Sequence, residues 1–225
     1  MFQTLLTLFF PKVCYSCNGF LHDNEQYACT SCRHDFPVTN FHFNKDETVK
    51  NVFYGRLPIE SATALLRFEK KGITQNLLHN LKYKGFEEIG IFLGRWLGGE
   101  LQNIPEYQHI DVVIPVPLHK NKLRKRGYNQ VTKFGQELAK SLNAEYMDDV
   151  LIKVSNTSSQ VTKNRLTRWL SNVTIFKVIN SDKIQNKHIL LVDDIITTGA
   201  TMEACGTVLL KNNHVKISIA TMAIA

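Results

Sequence analysis

Apolar positions along this chain follow two different periods. Ile73, Leu77, Leu78 and Leu81 recur at helical spacing, as do Ile89, Leu93, Trp96, Leu97 and Leu101, and again Val131, Phe134, Leu138 and Leu142. Each set predicts a helix that buries one face. The segments Asp111–Pro117, Ile189–Val192 and Val215–Ala220 are instead short, nearly continuous apolar runs rich in β-branched residues. That is the pattern of central strands covered on both sides by crossover helices. Lys82-Tyr83-Lys84-Gly85 breaks the first two helices and reads as a solvated turn. Residues 41–60, interrupted by Gly55 and Pro58, read as a connection or a short β segment, and Asn172–Phe176 returns to strand composition. Strands alternating with helices predict an α/β fold built on a parallel sheet.

One apolar run leads directly into chemistry. After Ile189-Leu190-Leu191-Val192 come Asp193 and Asp194, then Ile195-Ile196, then Thr197-Thr198-Gly199-Ala200-Thr201. Open α/β sheets bind ligands at the carboxyl ends of their strands, which is where this sequence puts the two acids. Thr197 and Thr198 offer hydroxyls, Gly199 and Ala200 leave backbone N–H groups approachable, and a helix starting near Thr201 turns its positive end towards the loop. A phosphate fits such a loop. Two carboxylates beside it repel an anion unless they face hydroxyls or a metal ion, a condition that a ribose diol, with Mg²⁺ held largely through its own waters and phosphate oxygens, satisfies. The stretch therefore reads as a sugar-phosphate site, the alternative being an ordinary strand-turn-helix with an Asp cap.

Charge adds to this picture without deciding it. The 225 residues carry 27 Lys and Arg against 20 Asp and Glu, a formal charge of +7, which suits a polyanionic partner, either a phosphorylated small molecule or a nucleic acid. With 44% hydrophobic and 21% charged residues, the chain is not of disordered composition. Between the strand at Asp111 and the helix at Val131, the stretch Leu118–Gln130 reads as a loop with five basic residues. Lys122, Arg124, Lys125 and Arg126 there supply countercharge for phosphates beyond the ribose, or else form a plain basic surface. The polar run Asn156–Gln160 leads into a basic segment through Lys163, Arg165, Arg168 and Trp169. Three readings stay open for it: a flap, with Gln160, Arg165 and Arg168 closing over a polyphosphate; a nucleic-acid track with Trp169 as a stacking face; or a solvated excursion.

Four of the five cysteines fall as Cys14-x-x-Cys17 and Cys29-x-x-Cys32. Two such knuckles complete a tetrahedral Cys₄ shell with no open position, the signature of structural Zn²⁺, with disulfides as the alternative. A module this small, roughly residues 11–40, draws much of its folding energy from the metal. His22, His34 and His42 are left out of the shell, and Cys205, at helical spacing with Met202, Val208 and Leu209, reads as core. The apolar stretch Leu5–Phe10 is far short of a membrane span and lacks a basic lead, so a short packed helix, no transmembrane segment and a cytoplasmic location are expected.

The acid pair and threonine loop resemble the type I phosphoribosyltransferase fingerprint. There the acids hold the ribose hydroxyls of phosphoribosyl pyrophosphate (PRPP), and the loop holds its 5′-phosphate. Together with the zinc knuckles, the Pro115-Val116-Pro117-Leu118-His119 run reaching Arg126-Gly127-Tyr128-Asn129-Gln130, and a Thr157-x-x-Gln160 segment, nearly the whole chain resembles the ComF/GntX family. Asn121 stands where that pattern has Arg, removing one countercharge, and Tyr128 where it has Phe. The resemblance implies a type I phosphoribosyltransferase-like domain over residues 46–225 behind an N-terminal helix and zinc-ribbon module over 1–45. It also implies a role in natural competence and DNA uptake, beside a DNA-translocating helicase and a DNA-processing protein. The expected function is a PRPP-type site, with a Mg²⁺-dependent phosphoribosyl transfer as the enzymatic form. The alternatives are a non-catalytic module binding nucleotide or single-stranded DNA, and a PRPP-sensing regulator. No residue set identifies an acceptor base.

Overall fold

The computed structural model describes residues 11–154, 175–211 and 214–225. The expected helix at Leu5–Phe10, the flap residues Gln160, Lys163, Arg165, Arg168 and Trp169, and positions 172–174 lie outside the described residues.

Elements appear in the order α1 (Thr30–His34), α2 (Phe41–Asn44), α3 (Thr48–Asn51), β1 (Ala62–Arg67), α4 (Ile73–Tyr83), α5 (Glu88–Leu101), β2 (Val112–Pro115), α6 (Lys120–Arg126), α7 (Thr132–Leu142), β3 (Glu145–Tyr146), β4 (Leu151–Val154), β5 (Ile175–Val178), β6 (His188–Ile196), α8 (Ala200–Leu210) and β7 (Lys216–Ile224). Five of the strands form a wholly parallel sheet in the order β1-β7-β6-β2-β3, and β4 pairs with β5 in a separate antiparallel ribbon. From β2 the chain crosses through α6 and α7 to β3 on one side, while β6 lies on the other. The carboxyl ends of β2 and β6 therefore flank a topological switch point, where such sheets bind ligands.

The central strands separate two apolar clusters. Leu190 and Val192 of β6 join Leu77, Leu81, Leu93 and Phe134 on the α4, α5 and α7 side. Ile189 and Leu191 join Phe53, Met202 and Leu209 on the α8 side. This is the period-two alternation of a strand buried on both faces. Helices α5 and α7 touch closely because Gly94 faces α7; a Cβ there would lie 2.8 Å from the Phe134 carbonyl oxygen.

Two expectations need correction. One strand, β1, precedes the one at Val112 and does not show among the apolar runs, because Ala62-Thr63-Ala64-Leu65-Leu66 lacks both a β-branched run and alternation. Residues 41–60 hold no strand; α2 and α3 pack Phe41 and Val49 into the core, and Phe53 and Leu57 follow in the turns beyond them. The open edge of β1 is covered by the chain leaving the cysteine module, with Thr39 N–H donating to the Leu65 carbonyl at 3.0 Å and Arg67 N–H to the Pro37 carbonyl at 2.8 Å. The proposed boundary near residue 45 falls between α2 and α3.

Candidate phosphate site and metal centre

At the end of β6 the chain turns through exposed Thr197 and Thr198 into Gly199, which caps α8 at φ 75°. Only glycine fits there, since a Cβ would lie 2.7 Å from Val52 Cγ1 and 2.9 Å from Phe53 Cε1, on a left-handed backbone. The N-terminal N–H groups of an eleven-residue helix thus face the loop. A small pocket of about 40 Å³ opens here, bordered by Asp193, Ile196, Thr197, Thr198 and Thr201. Arg56 holds the loop from behind. Its guanidinium donates to the Thr198 carbonyl at 3.0 Å and to the Val52 carbonyl, and pairs with Glu203 in the first turn of α8 at 2.7 Å.

The two acids are not side by side. Asp194 continues the face of Val192 and is almost fully buried, its Oδ2 accepting from Gln130 Nε2 at 2.7 Å and lying 3.0 Å from Lys82 Nζ. Asp193 continues the face of Leu191, towards Cys205 and Lys153, and its Oδ1 accepts the Asp194 N–H at 2.8 Å. Burial pushes the Asp193 carboxyl up to about 8, the negative charge of Asp194 adding to the effect and Lys82 and Lys153 opposing it.

The basic stretch after β2 forms a helix rather than a loop. His119 Nδ1 accepts the Asn121 N–H at 3.2 Å at one end, and Gly127 at φ 86° closes the other, donating to the Leu123 carbonyl at 2.7 Å. Leu123 is the sole apolar residue in Lys120–Arg126, so no hydrophobic period betrays this helix. Its basic last turn complements the helix dipole. Lys122, Arg124 and Lys125 are exposed. Arg126 turns inward, bonding the Gln130 side-chain oxygen and lying over the Tyr83 ring at 5.6 Å. A chain of contacts thus runs from Arg126 through Gln130 to Asp194.

The four cysteines come together as expected. The Sγ atoms of Cys14, Cys17, Cys29 and Cys32 all lie within 4.8 Å of one another, with Cys17 and Cys29 3.8 Å apart. A tetrahedral ion at the usual Zn–S distance separates its sulfurs by roughly 3.8 Å, so the set can hold a metal ion. Gly19 N–H points to Cys17 Sγ at 3.4 Å, the kind of contact that steadies a thiolate. Burial raises the Cys14 thiol, but N–H groups of Cys17, Cys29 and Ser16 outweigh it and bring the thiol down to about 7. Burial pushes Cys32 upwards. His42 points elsewhere, 3.0 Å from Glu100 and 3.1 Å from Thr63. The module is fixed to the body by Tyr15 stacked on Phe86 at 4.9 Å and by Asn80 Nδ2 donating to the Tyr15 carbonyl at 2.7 Å.

Comparison with known proteins bears on the fold. The phosphoribosyl transferase domain model matches residues 132–225. The DNA utilization protein YhgH of Escherichia coli O157:H7 is 27% identical over 146 residues, 64% of this chain and 63% of that protein. Competence protein ComFC of Bacillus subtilis is 27% identical over 209 residues, covering 89% of this chain and 78% of the other. Competence protein F of Haemophilus influenzae is 28% identical over 102 residues, 45% of this chain and 44% of that one. The chain is thus similar to ComF-like competence and DNA-utilization proteins. Its domain is phosphoribosyltransferase-like, a parallel sheet with flanking helices of the type I class. An adenine phosphoribosyltransferase structure superposes with a TM-score of 0.39 at 18% identity, covering 66% of this chain and 75% of the other. The match to the YhgH relatives spans less than two thirds of their length. No helix among the described residues is long and apolar enough to cross a membrane.

Three polar residues of the site went unread in the sequence. Lys82 does not lie in a solvated turn; it is in the last turn of α4, whose buried Leu77, Leu78 and Leu81 direct it at Asp194. Gln130 was noted only as part of a motif, and its burial was not foreseen. Arg56 carries no local signal of its place in the site, since the site groups it bonds, Thr198 and Glu203, are more than 140 residues away.

Proposed function

We propose that this protein binds PRPP, or a related ribose 5-phosphate, at the carboxyl ends of β2 and β6, in the handling of DNA during natural competence. The observation that carries the reading is the placement of Asp193 against the phosphate loop and of Asp194 under Gln130 and the basic helix. The 5′-phosphate sits in Thr197–Thr201, against the amides of α8. The ribose hydroxyls lie across the two carboxylates, and the pyrophosphate reaches towards Lys122, Arg124, Lys125 and Arg126. The carboxylates of Asp193 and Asp194 are hard oxygen donors of the kind Mg²⁺ takes alongside phosphate oxygens. When bound, Mg²⁺ supplies charge neutralisation for the pyrophosphate. Zn²⁺ suits the four thiolates, as a structural ion.

Transfer of the phosphoribosyl group places positive charge on the ribose ring and negative charge on the departing oxygens, so the protein's part is positioning and electrostatics. Asp194, oriented by Gln130, lies on the side where the ring becomes positive, and the basic helix on the side of the leaving group. The relatives' names, which refer to competence and DNA utilization, support a role in DNA uptake, and a DNA-translocating helicase and a DNA-processing protein are the partners this reading proposes.

A second reading is a DNA-binding module. It is favoured by the solvent-facing Lys122, Arg124 and Lys125 of the helix whose Arg126 lies over Tyr83, a ring that is 70% exposed; these suit a phosphate backbone and a stacked base. Calorimetric titration of the zinc-loaded protein with PRPP and Mg²⁺, repeated with a short single-stranded DNA, separates the two. Saturable PRPP binding supports the first reading, and DNA binding without PRPP binding supports the second.

A further inference from the structure

We infer that Lys82 is the charge-relay residue of the site: it neutralises Asp194 in the free protein and passes to the pyrophosphate of PRPP when the ribose hydroxyls take over Asp194. This rests on the PRPP reading above. Asp194 is 4% exposed, and a buried carboxylate needs a counter-ion. Lys82 Nζ supplies it at 3.0 Å, meeting the same oxygen, Oδ2, that accepts Gln130 Nε2 at 2.7 Å. A hydroxyl donating to Asp194 therefore competes with an ammonium already in place; when the lysine shifts, Gln130 and the hydroxyl keep the carboxylate hydrogen-bonded while the ammonium stays in the same crevice as its countercharge.

The lysine has somewhere to go. Its side chain is 22% exposed while that of Asp194 is 6% exposed, so Lys82 spans the wall of the crevice from inside to solvent. The pyrophosphate of PRPP is attached to the carbon next to the hydroxyl-bearing pair, within the swing of a flexible four-carbon stem. Arg126 and Gln130 stay behind as the fixed support: Arg126 is held by Gln130 and by the Tyr83 ring, whereas Lys82 is held by one ionic contact. The arrangement distinguishes PRPP from ribose 5-phosphate, because only PRPP offers the lysine a new anionic partner in exchange for Asp194.

The test is titration of wild type and K82M with PRPP and with ribose 5-phosphate, both with Mg²⁺, alongside K82R. The expected result is a PRPP affinity about 10- to 100-fold weaker in K82M, the loss of one charge-assisted hydrogen bond, with ribose 5-phosphate bound at least as well as by wild type because its hydroxyls no longer displace an ammonium, and K82R restoring most of the PRPP affinity. A merely structural lysine would weaken both ligands equally, and that result, or no change for either, overturns the inference. If K82M does not fold, K82Q carries the same comparison. A wild-type protein that binds neither ligand overturns the PRPP reading itself, an outcome distinct from a variant that treats the two ligands alike.

Discussion

The Arg56 guanidinium donates to the Thr198 carbonyl at 3.0 Å, joining the segment behind the cysteine module to a loop far along the chain. The same group pairs with Glu203 in the first turn of α8 at 2.7 Å, holding the loop to the start of that helix. Replacing Arg56 with Ala releases both the loop and that carboxylate. The expected outcome is a several-fold loss of affinity for inorganic phosphate or ribose 5-phosphate, while stability falls by about 1 kcal/mol because the pair is partly solvated. Titration of R56A beside its thermal melt checks this, and unchanged phosphate affinity counts against the clamp.

Asp193 should impose a pH dependence on stability. Its folded-state value near 8 lies above the ordinary 3.8, so the native protein keeps a proton that the unfolded chain has released. Between about pH 4 and pH 8 unfolding therefore releases a proton, and this group lowers stability as pH rises through that window. Asp193→Asn, which imitates the protonated acid, removes the slope and raises the melting temperature at pH 8. Melts of wild type and D193N across that range test it; parallel curves would mean that Asp193 is ionised throughout.

The cysteine cluster predicts a metal-dependent melt. Chelation, or Cys32→Ser at the buried end of the cluster, should lower the melting temperature by several degrees or more and loosen the Tyr15–Phe86 contact that secures the α4–α5 turn. Elemental analysis should return about one Zn²⁺ per chain. No metal, together with a melt indifferent to chelator, would refute a structural site.

If the basic helix touches single-stranded DNA, affinity falls steeply with salt. Changing Lys122, Arg124 and Lys125 together to Ala should then reduce the slope of log K against log salt by about 2, from roughly 0.7 per phosphate contact. An unaltered slope would place any DNA elsewhere.

Much of this was legible in the residues. Ile189–Val192, the helices on Leu77, Leu93 and Phe134, and the two cysteine knuckles are strong periodic or spacing signals, and the structure places each in the expected element. What stayed hidden lacks a local signal. β1 is an alanine- and leucine-rich strand completed by pairing with distant β7. α6 is a polar helix defined by its caps, and the acid pair divides between two sheet faces only once β6 is seen to be buried on both. Lys82, Gln130 and Arg56 became site residues through tertiary contacts alone.

The central claim is that the acid pair and the threonine loop form one sugar-phosphate site. The most direct measurement is calorimetric titration with PRPP and Mg²⁺ of wild type and of the doubly substituted D193N/D194N protein, each confirmed as folded by its melt. The account predicts saturable binding to wild type and at least a tenfold loss in the double variant, with the melting transition retained. Equal PRPP affinity in the two proteins, or none in the wild type, would contradict it.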